Sequence, residues 1–296
     1  MQGYRLKVVF CAAQQALARL SAALAVGLAL TACATSASRD AAVESAQADG
    51  RLHSVLWQQT SAEYANTTRQ IYHMAERRLN AALADETVNA LPGDVAGPDR
   101  PLAIIVDVDE TILDTSAHAA RAILAREGFE RDSWHRWVKE ASAPAVPGAV
   151  EYLLAAQAAG VHVFYVTNRQ YALEAATRRN LEELGIALEA DEDVILTRDE
   201  RPGWTRHKSS RRRYVAEGHR VIQLVCDDLN DFVDVPEKAT VGLRRRLAEQ
   251  HHERWGETWF QIPNPIYGSW ERAITPNGTP LSESSPADMF RMLDTD

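Results

Sequence analysis

The chain has 296 residues, of which 46% are hydrophobic and 25% are charged, a composition typical of soluble globular proteins. This composition excludes a long disordered chain, a collagen-like fibre and a polytopic membrane protein. The formal net charge of −9 argues against a general nucleic-acid binder, which needs a basic face to neutralise phosphates. Three cysteines are too few for a disulfide scaffold.

The N-terminal segment has the features of a targeting signal. Residues 1–32 carry three basic side chains and no acidic one, and an apolar run extends from Leu20 to Leu30. That run is too short to span about 30 Å of hydrocarbon, but its length suits the apolar region of a signal peptide. We therefore expect a signal peptide over residues 1–32; the alternative is an amphipathic helix of the folded domain.

The sequence Leu30-Thr-Ala-Cys33 follows the apolar run directly and resembles the bacterial lipobox. In that motif the cysteine thiol accepts a lipid and the cysteine becomes the first residue of the mature protein. We expect Cys33 to be lipidated, whereas the alternative is an ordinary secretory signal cleaved nearby. Because Ala34 rather than Asp follows the cysteine, we expect a bacterial cell-envelope protein anchored in the outer membrane, with the membrane face undecided.

The remaining chain divides into a tether and a single domain. Residues 33–52 are rich in Ala, Ser, Asp, Glu and Gln and predict a flexible tether from Cys33. Residues 53–296 predict one domain, which begins with one or two helices between His53 and Leu83. Cys226 is expected to be a buried, inert thiol.

Short apolar, β-branched runs alternate with helical patterns in the domain, which predicts an α/β fold with a parallel sheet. The predicted strands are Leu102–Val108, Val161–Thr167, Val194–Leu196 and Val221–Cys226. The predicted helices between them are 148–159, 170–184 and 206–217. The segment 112–146 is too long for a plain crossover and predicts a small helical cap, with a helix over Ala117–Ala125 followed by two tryptophans.

Polar side chains follow the predicted strands, and ligands of such sheets bind at the carboxyl ends of the strands. These residues are Asp107, Asp109, Thr167, Asn168, Asp227, Asp228 and Asp231, with Lys208 at the start of a helix. Carboxylates at this density repel one another unless a cation lies among them, and oxygen ligands favour Mg²⁺. A carboxylate can attack phosphorus and a second acid can protonate the leaving oxygen, so these residue types fit phosphoryl transfer.

Four ordered motifs resemble those of the haloacid dehalogenase superfamily: Asp107-Val-Asp-Glu-Thr111, Thr167-Asn168, Lys208 and Asp227 to Asp231. The fuller resemblance, over about residues 55–275, is to its class C acid phosphatases, the bacterial lipoprotein e family. It includes Phe164-Tyr-Val-Thr-Asn-Arg169 and Asn264-Pro-Ile-Tyr-Gly-Ser-Trp270. The resemblance implies a Rossmann-like parallel sheet flanked by helices, with a small helical cap and N-terminal helices.

The resemblance also implies a role for each matching residue. Asp107 would be the nucleophile and a Mg²⁺ ligand, and Asp109 would be the general acid and base with its backbone carbonyl on the metal. Asp227 would be the third protein ligand, and Asp231 would orient Lys208 or a metal-bound water. Thr167, Asn168 and Lys208 would bind the phosphoryl group.

Two aromatic side chains match a nucleobase sandwich of the family, Trp134 from the cap and Tyr267 from the Asn-Pro-x-Tyr-Gly stretch. The resemblance thus implies a Mg²⁺-dependent acid phosphatase of the 5′-nucleotidase type that acts on phosphomonoesters. The substrates would be nucleoside 5′-monophosphates and also nicotinamide mononucleotide, hydrolysed through an aspartyl-phosphate. The membrane would be a partner through the lipid anchor, no nucleic-acid polymer would bind, and a homodimer is compatible with the family.

Two features leave alternatives open. The family usually shows Gly-Asp-Asn-Leu where this chain has Cys226-Asp-Asp-Leu229, so Asp228 places an extra charge beside the site. A surface protein that binds haem or a nucleotide without useful catalysis is the alternative function, and sugar phosphates or phosphoproteins are alternative substrates. The arginine triplets Arg211–Arg213 and Arg244–Arg246 are expected to be surface charges, and Trp57 is expected in the core.

Overall fold

The computed structural model describes residues 49–93 and 99–275, together with a few single residues after position 277. The signal peptide predicted over residues 1–32, the lipidation site Cys33 and the predicted tether up to residue 48 lie outside the described residues. The first helix begins at Leu52, next to the start predicted for the domain.

Within the described residues, five parallel strands form one sheet in the order β3-β2-β1-β4-β5. Their bounds are β1 Leu102–Val106, β2 His162–Gln170, β3 Ile195–Arg198, β4 Arg220–Cys226 and β5 Trp259–Gln261. The chain runs outward from β1 through β2 to β3 and then crosses to β4 on the other side of β1. The crevice between the carboxyl ends of β1 and β4 is therefore the topological switch point, where ligands of such sheets bind.

The parallel α/β architecture predicted from the sequence is confirmed, although several strand bounds differ. Strand β2 continues to Gln170 rather than ending at Thr167, and β3 continues to Arg198 rather than ending at Leu196. The first strand ends at Val106 rather than Val108, because the chain turns there so that Asp107 and Asp109 face the crevice. The edge strand β5 was not predicted, since three residues are too few to show a periodic pattern.

Helices cover both faces of the sheet, as its strands buried on both faces require. The described helices are α1 Leu52–Thr60, α2 Ala62–Ala84, α3 Ser116–Ala125, α4 Arg131–Glu140, α5 Ala149–Ala158, α6 Glu174–Glu183, α7 Ser209–Gly218, α8 Leu229–Phe232, α9 Val241–Glu249 and α10 Ser269–Ile274. Among these residues, no helix is both long enough and apolar enough to cross a bilayer.

The N-terminal segment forms two helices rather than one, and the break lies at Ser61. The Ser61 side chain accepts a hydrogen bond from the Tyr64 backbone N–H and so caps α2. Helix α2 packs against α5 and against β4 and β5, which adds its buried face to the main core. The expectation that Trp57 belongs to the core is wrong, because 36% of this α1 side chain is exposed.

The segment predicted as a cap contains α3 and α4. Trp137 is buried there and stacks on Trp134, with ring centroids 5.3 Å apart. His118 of α3 meets the Trp134 ring edge-to-face at 5.0 Å. This aromatic cluster holds the two cap helices together. Trp134 remains half-buried and lines the same cavity as Asp107 and Asp227, at the ends of β1 and β4.

Candidate active site

The ends of β1 and β4 bring three of the predicted carboxylates together. Asp107 is the first residue after β1, and its backbone N–H donates to the Val225 carbonyl at 3.0 Å. Asp227 is the first residue after β4, and Asp231 lies on the short helix α8 that follows. Oxygens of Asp107, Asp227 and Asp231 all lie within 4.8 Å of one another.

Lys208 lies between two of these carboxylates at the start of α7. Its ammonium nitrogen donates to Asp107 Oδ1 and lies 2.9 Å from Asp231 Oδ1. Burial lowers the pKa of Lys208, but the two carboxylates raise it by more, so the side chain keeps its charge. Asp231 thus contacts Lys208 directly, an arrangement compatible with the first of the two roles that the resemblance implies for it.

One lysine does not balance three carboxylates, of which Asp107 and Asp231 are buried and Asp227 is half-buried. Burial raises the pKa of Asp107, and the Lys208 charge opposes that rise. Burial also raises the pKa of Asp227 well above its usual range, with further increases from Asp107 and Asp231. A hard divalent cation takes carboxylate oxygens as ligands, and its charge would relieve the repulsion between these closely spaced groups. The residues thus fit a metal site at the switch point.

Asp109 faces the same cavity as these carboxylates and is held by Arg169. The Arg169 guanidinium donates from Nε and Nη2 to the Asp109 carboxylate at 2.8–3.2 Å, and from Nη1 to Thr177 Oγ1 at 3.1 Å. This bidentate contact fixes the plane of the Asp109 carboxylate, which a single hydrogen bond would leave free to rotate. This role of Arg169 is not predictable from the sequence, because a contact across 60 residues leaves no local pattern.

Two buried arginines of α7 form hydrogen bonds with residues of the site, Arg211 with the Thr167-Asn168 motif and Arg212 with Asp231. Arg211 donates to the Thr167 carbonyl and to Asn168 Oδ1, and Arg212 donates to the Asp231 carbonyl. The expectation that the 211–213 triplet is surface charge is therefore wrong for these two residues, both of which are buried. Their side chains satisfy backbone carbonyls that the turns of the site leave without partners.

Thr167 and Asn168 occupy different positions in the site. Thr167 is fully buried, and its Oγ1 accepts the Arg169 backbone N–H at 3.1 Å. Asn168 is exposed and lines the cavity in front of the carboxylates. Because Asn168 Oδ1 is already engaged by Arg211, its amide N–H₂ group is the part left to face a ligand.

Glu110 is a second residue without a predicted role. It is fully buried, has a backbone φ of 58°, and accepts hydrogen bonds from Gln58 and Thr115. Burial raises its pKa to about 8. A non-glycine residue in the left-handed region costs about 1 kcal/mol, so these contacts, one of them with α1, hold the loop after β1 in its turn.

One cavity of about 530 Å³ connects the carboxylates with the cap. Asp107, Asp109, Asn168 and Lys208 line its inner end, and Trp134 and Tyr267 line it further out. Arg169 lies beneath Trp134, with its guanidinium carbon 5.6 Å from the ring centroid. The structure thus places both predicted stacking residues on the same cavity as the predicted catalytic residues.

The loop that carries Tyr267 is tied to the end of β4 by hydrogen bonds. Asn264 Nδ2 donates to Asp227 Oδ2 at 2.8 Å, and Asn264 Oδ1 accepts the Tyr267 backbone N–H at 3.3 Å. Asp228 caps α8 through the Asn230 backbone N–H and also accepts from Ser269. Arg244 Nη2 lies 3.6 Å from Asp228 Oδ1, so this arginine too belongs to the site wall rather than to the open surface expected for it.

Comparisons with known proteins agree with this geometry. Residues 13–270 match the family described as HAD superfamily, subfamily IIIB (acid phosphatase). The chain is 30% identical to the class C acid phosphatase from Bacillus anthracis over 85% of this chain and 99% of that one, with a TM-score of 0.71. A tungstate-bound structure of class C acid phosphatase from Bacillus anthracis gives 29% identity, the same shares and a TM-score of 0.72. The chain belongs to the subfamily IIIB acid phosphatases of the haloacid dehalogenase superfamily, and it is accordingly a phosphomonoesterase.

Proposed function

We propose that this acid phosphatase hydrolyses nucleoside 5′-monophosphates, and also nicotinamide mononucleotide, with Mg²⁺ as its cofactor. The observation that carries the proposal is the single cavity on which the carboxylates, Lys208, Trp134 and Tyr267 meet. Its volume of about 530 Å³ lies within the usual range of roughly 300–1,000 Å³ for small-molecule pockets. A substrate with a phosphate at one end and a flat ring at the other matches this distribution of side chains.

Substrate binding uses both ends of the cavity. The nucleobase stacks between Trp134 and Tyr267, which contributes roughly 1–3 kcal/mol and tolerates many bases. The phosphoryl oxygens accept hydrogen bonds from the Asn168 amide, the Thr167 hydroxyl and the Lys208 ammonium. Binding in this way replaces the Asp107 carboxylate as the partner of Lys208 and leaves an Asp107 oxygen free to attack.

The reaction proceeds in two steps through Asp107. In the first step an Asp107 oxygen attacks phosphorus, the bond to the ribose oxygen breaks, and protonated Asp109 gives its proton to that oxygen. In the second step Asp109 takes a proton from water, and the water oxygen attacks the aspartyl-phosphate. The products are the nucleoside and inorganic phosphate, and the Asp107 carboxylate is restored.

Asp107 and Asp227 would hold Mg²⁺ through their carboxylates, and Asp109 would contribute its backbone carbonyl. When bound, Mg²⁺ neutralises part of the negative charge on the phosphoryl oxygens. Asp231 would remain on Lys208, as in the structure, beside the two carboxylate ligands. Phosphate release measured with and without Mg²⁺ tests the roles of these residues and the identity of the metal together.

The cellular location forms part of the proposal. Lipidation at Cys33 would anchor the enzyme in the outer membrane, because several acyl chains on one cysteine give stable anchoring where one chain gives marginal binding. Dephosphorylation outside the cytoplasm would yield nucleosides that carriers can import. Membrane fractionation of cells that express wild-type or Cys33→Ala protein tests this anchor, and equal amounts of both proteins in the membrane fraction would contradict it.

The decisive assay measures phosphate release from nucleoside 5′-monophosphates, nicotinamide mononucleotide, sugar phosphates and p-nitrophenyl phosphate between pH 5 and 8. It is run with and without Mg²⁺, on purified protein from which residues 1–33 are removed. We expect Mg²⁺-dependent release with the highest kcat/KM for nucleotides, and a loss of at least about 1,000-fold in Asp107→Asn.

Asp234→Asn is the matched control, because it makes the same change at an exposed carboxylate. It should retain wild-type activity. Higher kcat/KM for sugar phosphates than for nucleotides would overturn the substrate assignment alone. No release by folded wild-type protein under any condition would instead favour a binding function for a haem or nucleotide ligand.

A further inference from the structure

A second group of metal-ligating side chains lies at the opposite edge of the sheet from the catalytic carboxylates. His162 is the first residue of β2, and His219 directly precedes β4. Glu189 and Glu192 reach them from the loop between α6 and β3. About five strand residues separate His162 from Thr167, which places this group roughly 16 Å from the catalytic edge.

Three side chains of this group bring their ligand atoms close enough to share one ion, and Glu189 adjoins His162. His162 Nδ1 lies 2.8 Å from Glu189 Oε1 and 3.3 Å from Glu192 Oε2, and His219 Nε2 lies 3.7 Å from Glu192 Oε2. Ligand atoms of His162, Glu192 and His219 all lie within 4.8 Å of one another. Bonds of about 2.0–2.1 Å in tetrahedral geometry put ligand atoms about 3.3–3.4 Å apart.

Hydrogen bonding does not account for the arrangement. His162 Nδ1 is buried and makes no hydrogen bond, although Glu189 Oε1 lies 2.8 Å away. The His162 and His219 rings lie 4.8 Å apart, which is an unfavourable approach for two protonated imidazoles. A cation between the four side chains would satisfy both rings and both carboxylates.

The His219 ring is held in place by its neighbours. It packs edge-to-face against Phe164 at 4.9 Å, which fixes its orientation. Its Nε2 atom lies 3.7 Å from Glu192 Oε2. Metals bind the neutral form of imidazole, so a bound ion would keep this ring unprotonated.

We propose that His162, His219, Glu192 and Glu189 form a Zn²⁺ site that is separate from the catalytic metal site. Two imidazoles and two carboxylates are ligands that Zn²⁺ takes in tetrahedral sites, whereas Mg²⁺ prefers six oxygen ligands. The ion would tie the loop between α6 and β3 to the starts of β2 and β4. Its effect would therefore be on stability rather than on the phosphatase reaction.

The test titrates the purified full-length protein with Zn²⁺ in saturating Mg²⁺, and follows stoichiometry, affinity and thermal unfolding. Co²⁺ substitution supplies a spectroscopic readout, because a tetrahedral histidine site gives intense visible absorption and a six-coordinate oxygen site does not. We expect His162→Gln and Glu192→Gln each to weaken this Zn²⁺ binding by at least about tenfold and to abolish the intense Co²⁺ bands. Zn²⁺ should raise the Tm of the wild type more than that of either variant.

His73→Gln is the matched control, since His73 is exposed on α2 and away from this group. It should bind Zn²⁺ like the wild type, and all three variants should keep Mg²⁺-dependent phosphatase activity, which also shows that they fold. Equal Zn²⁺ affinity and equal Co²⁺ spectra in the wild type and both test variants would overturn the proposal. Zn²⁺ binding that occurs only by displacing Mg²⁺, with loss of activity, would overturn it as well.

Discussion

The inner and outer halves of the active-site cavity differ in how firmly their side chains are held. At the inner end Asp107, Lys208 and Asp231 are each at most 6% exposed, and each has a charged partner. At the outer end Tyr267 is 37% exposed and Phe129 is 62% exposed. Atoms that take part in bond breaking need fixed positions, whereas a stacking surface tolerates movement. The difference is the one expected if, as proposed, the inner half carries out the reaction and the outer half selects the substrate.

Arg169 contacts both halves of the cavity, because its guanidinium donates hydrogen bonds to Asp109 and lies against the Trp134 ring. We expect Arg169→Met to lower kcat for nucleotides by about 100-fold, since general acid catalysis contributes roughly 10²–10⁴-fold and depends on the position of the acid. Arg169→Lys should recover little of the loss, because an ammonium cannot make the bidentate contact.

The choice of leaving group separates a positioning role of Arg169 from a merely structural one. The ribose oxygen needs a proton as it leaves, whereas p-nitrophenolate leaves without one. The loss in Arg169→Met should therefore be much smaller for p-nitrophenyl phosphate than for a nucleotide. Equal losses of kcat on both substrates would mean that Arg169 supports the fold of the site and not Asp109.

The outer half is tested by Trp134→Ala. Loss of base stacking should raise KM for nucleoside 5′-monophosphates by about tenfold or more, as follows from roughly 1–3 kcal/mol per stacked base. KM for a small aryl phosphate should change far less, and Trp134→Phe should retain most of the nucleotide affinity. A similar rise in KM for both kinds of substrate would reject the stacking role.

The sequence predicts the residues at the strand ends but not the side chains that support them. Parallel strands place their carboxyl ends at one edge of the sheet, so the strand-end motifs alone predict that Asp107, Asp227 and Asp231 meet. The supporting contacts of Arg169, Arg211 and Glu110 are not predictable in this way, because each depends on partners distant in the chain. Arg211 also resembles surface charge, since it occurs in a run of three arginines. Its burial is possible only because carbonyls of the site turns accept its hydrogen bonds.

Asp228 lies between the two halves and should matter less than Arg169 or Trp134. Its carboxylate caps α8 and holds the backbone N–H and hydroxyl of Ser269 beside the Tyr267 loop. Asp228→Asn keeps one carbonyl oxygen for these donors, so we expect turnover within about tenfold of the wild type. Complete loss of activity, with Mg²⁺ affinity reduced in parallel, would identify Asp228 as a metal ligand.

The smallest expected effect is on stability at the outer wall, where Glu271 of α10 lines the cavity. Burial raises its pKa to about 7, although Arg51 and Arg272 act in the opposite direction. The folded protein therefore holds the Glu271 proton up to a higher pH than the unfolded chain does. This contribution to stability is complete below about pH 4.5 and is lost as the pH rises through 7, at about 1.4 kcal/mol per pH unit when the two states differ by one proton.

Glu271→Gln stays uncharged, so its Tm relative to the wild type should increase from pH 5 to pH 8, whereas the exposed control Glu217→Gln should show no such trend. A constant Tm difference across that range would show that Glu271 ionises in the folded protein at its ordinary pH, and that the outer wall is as open to solvent as the Tyr267 ring beside it.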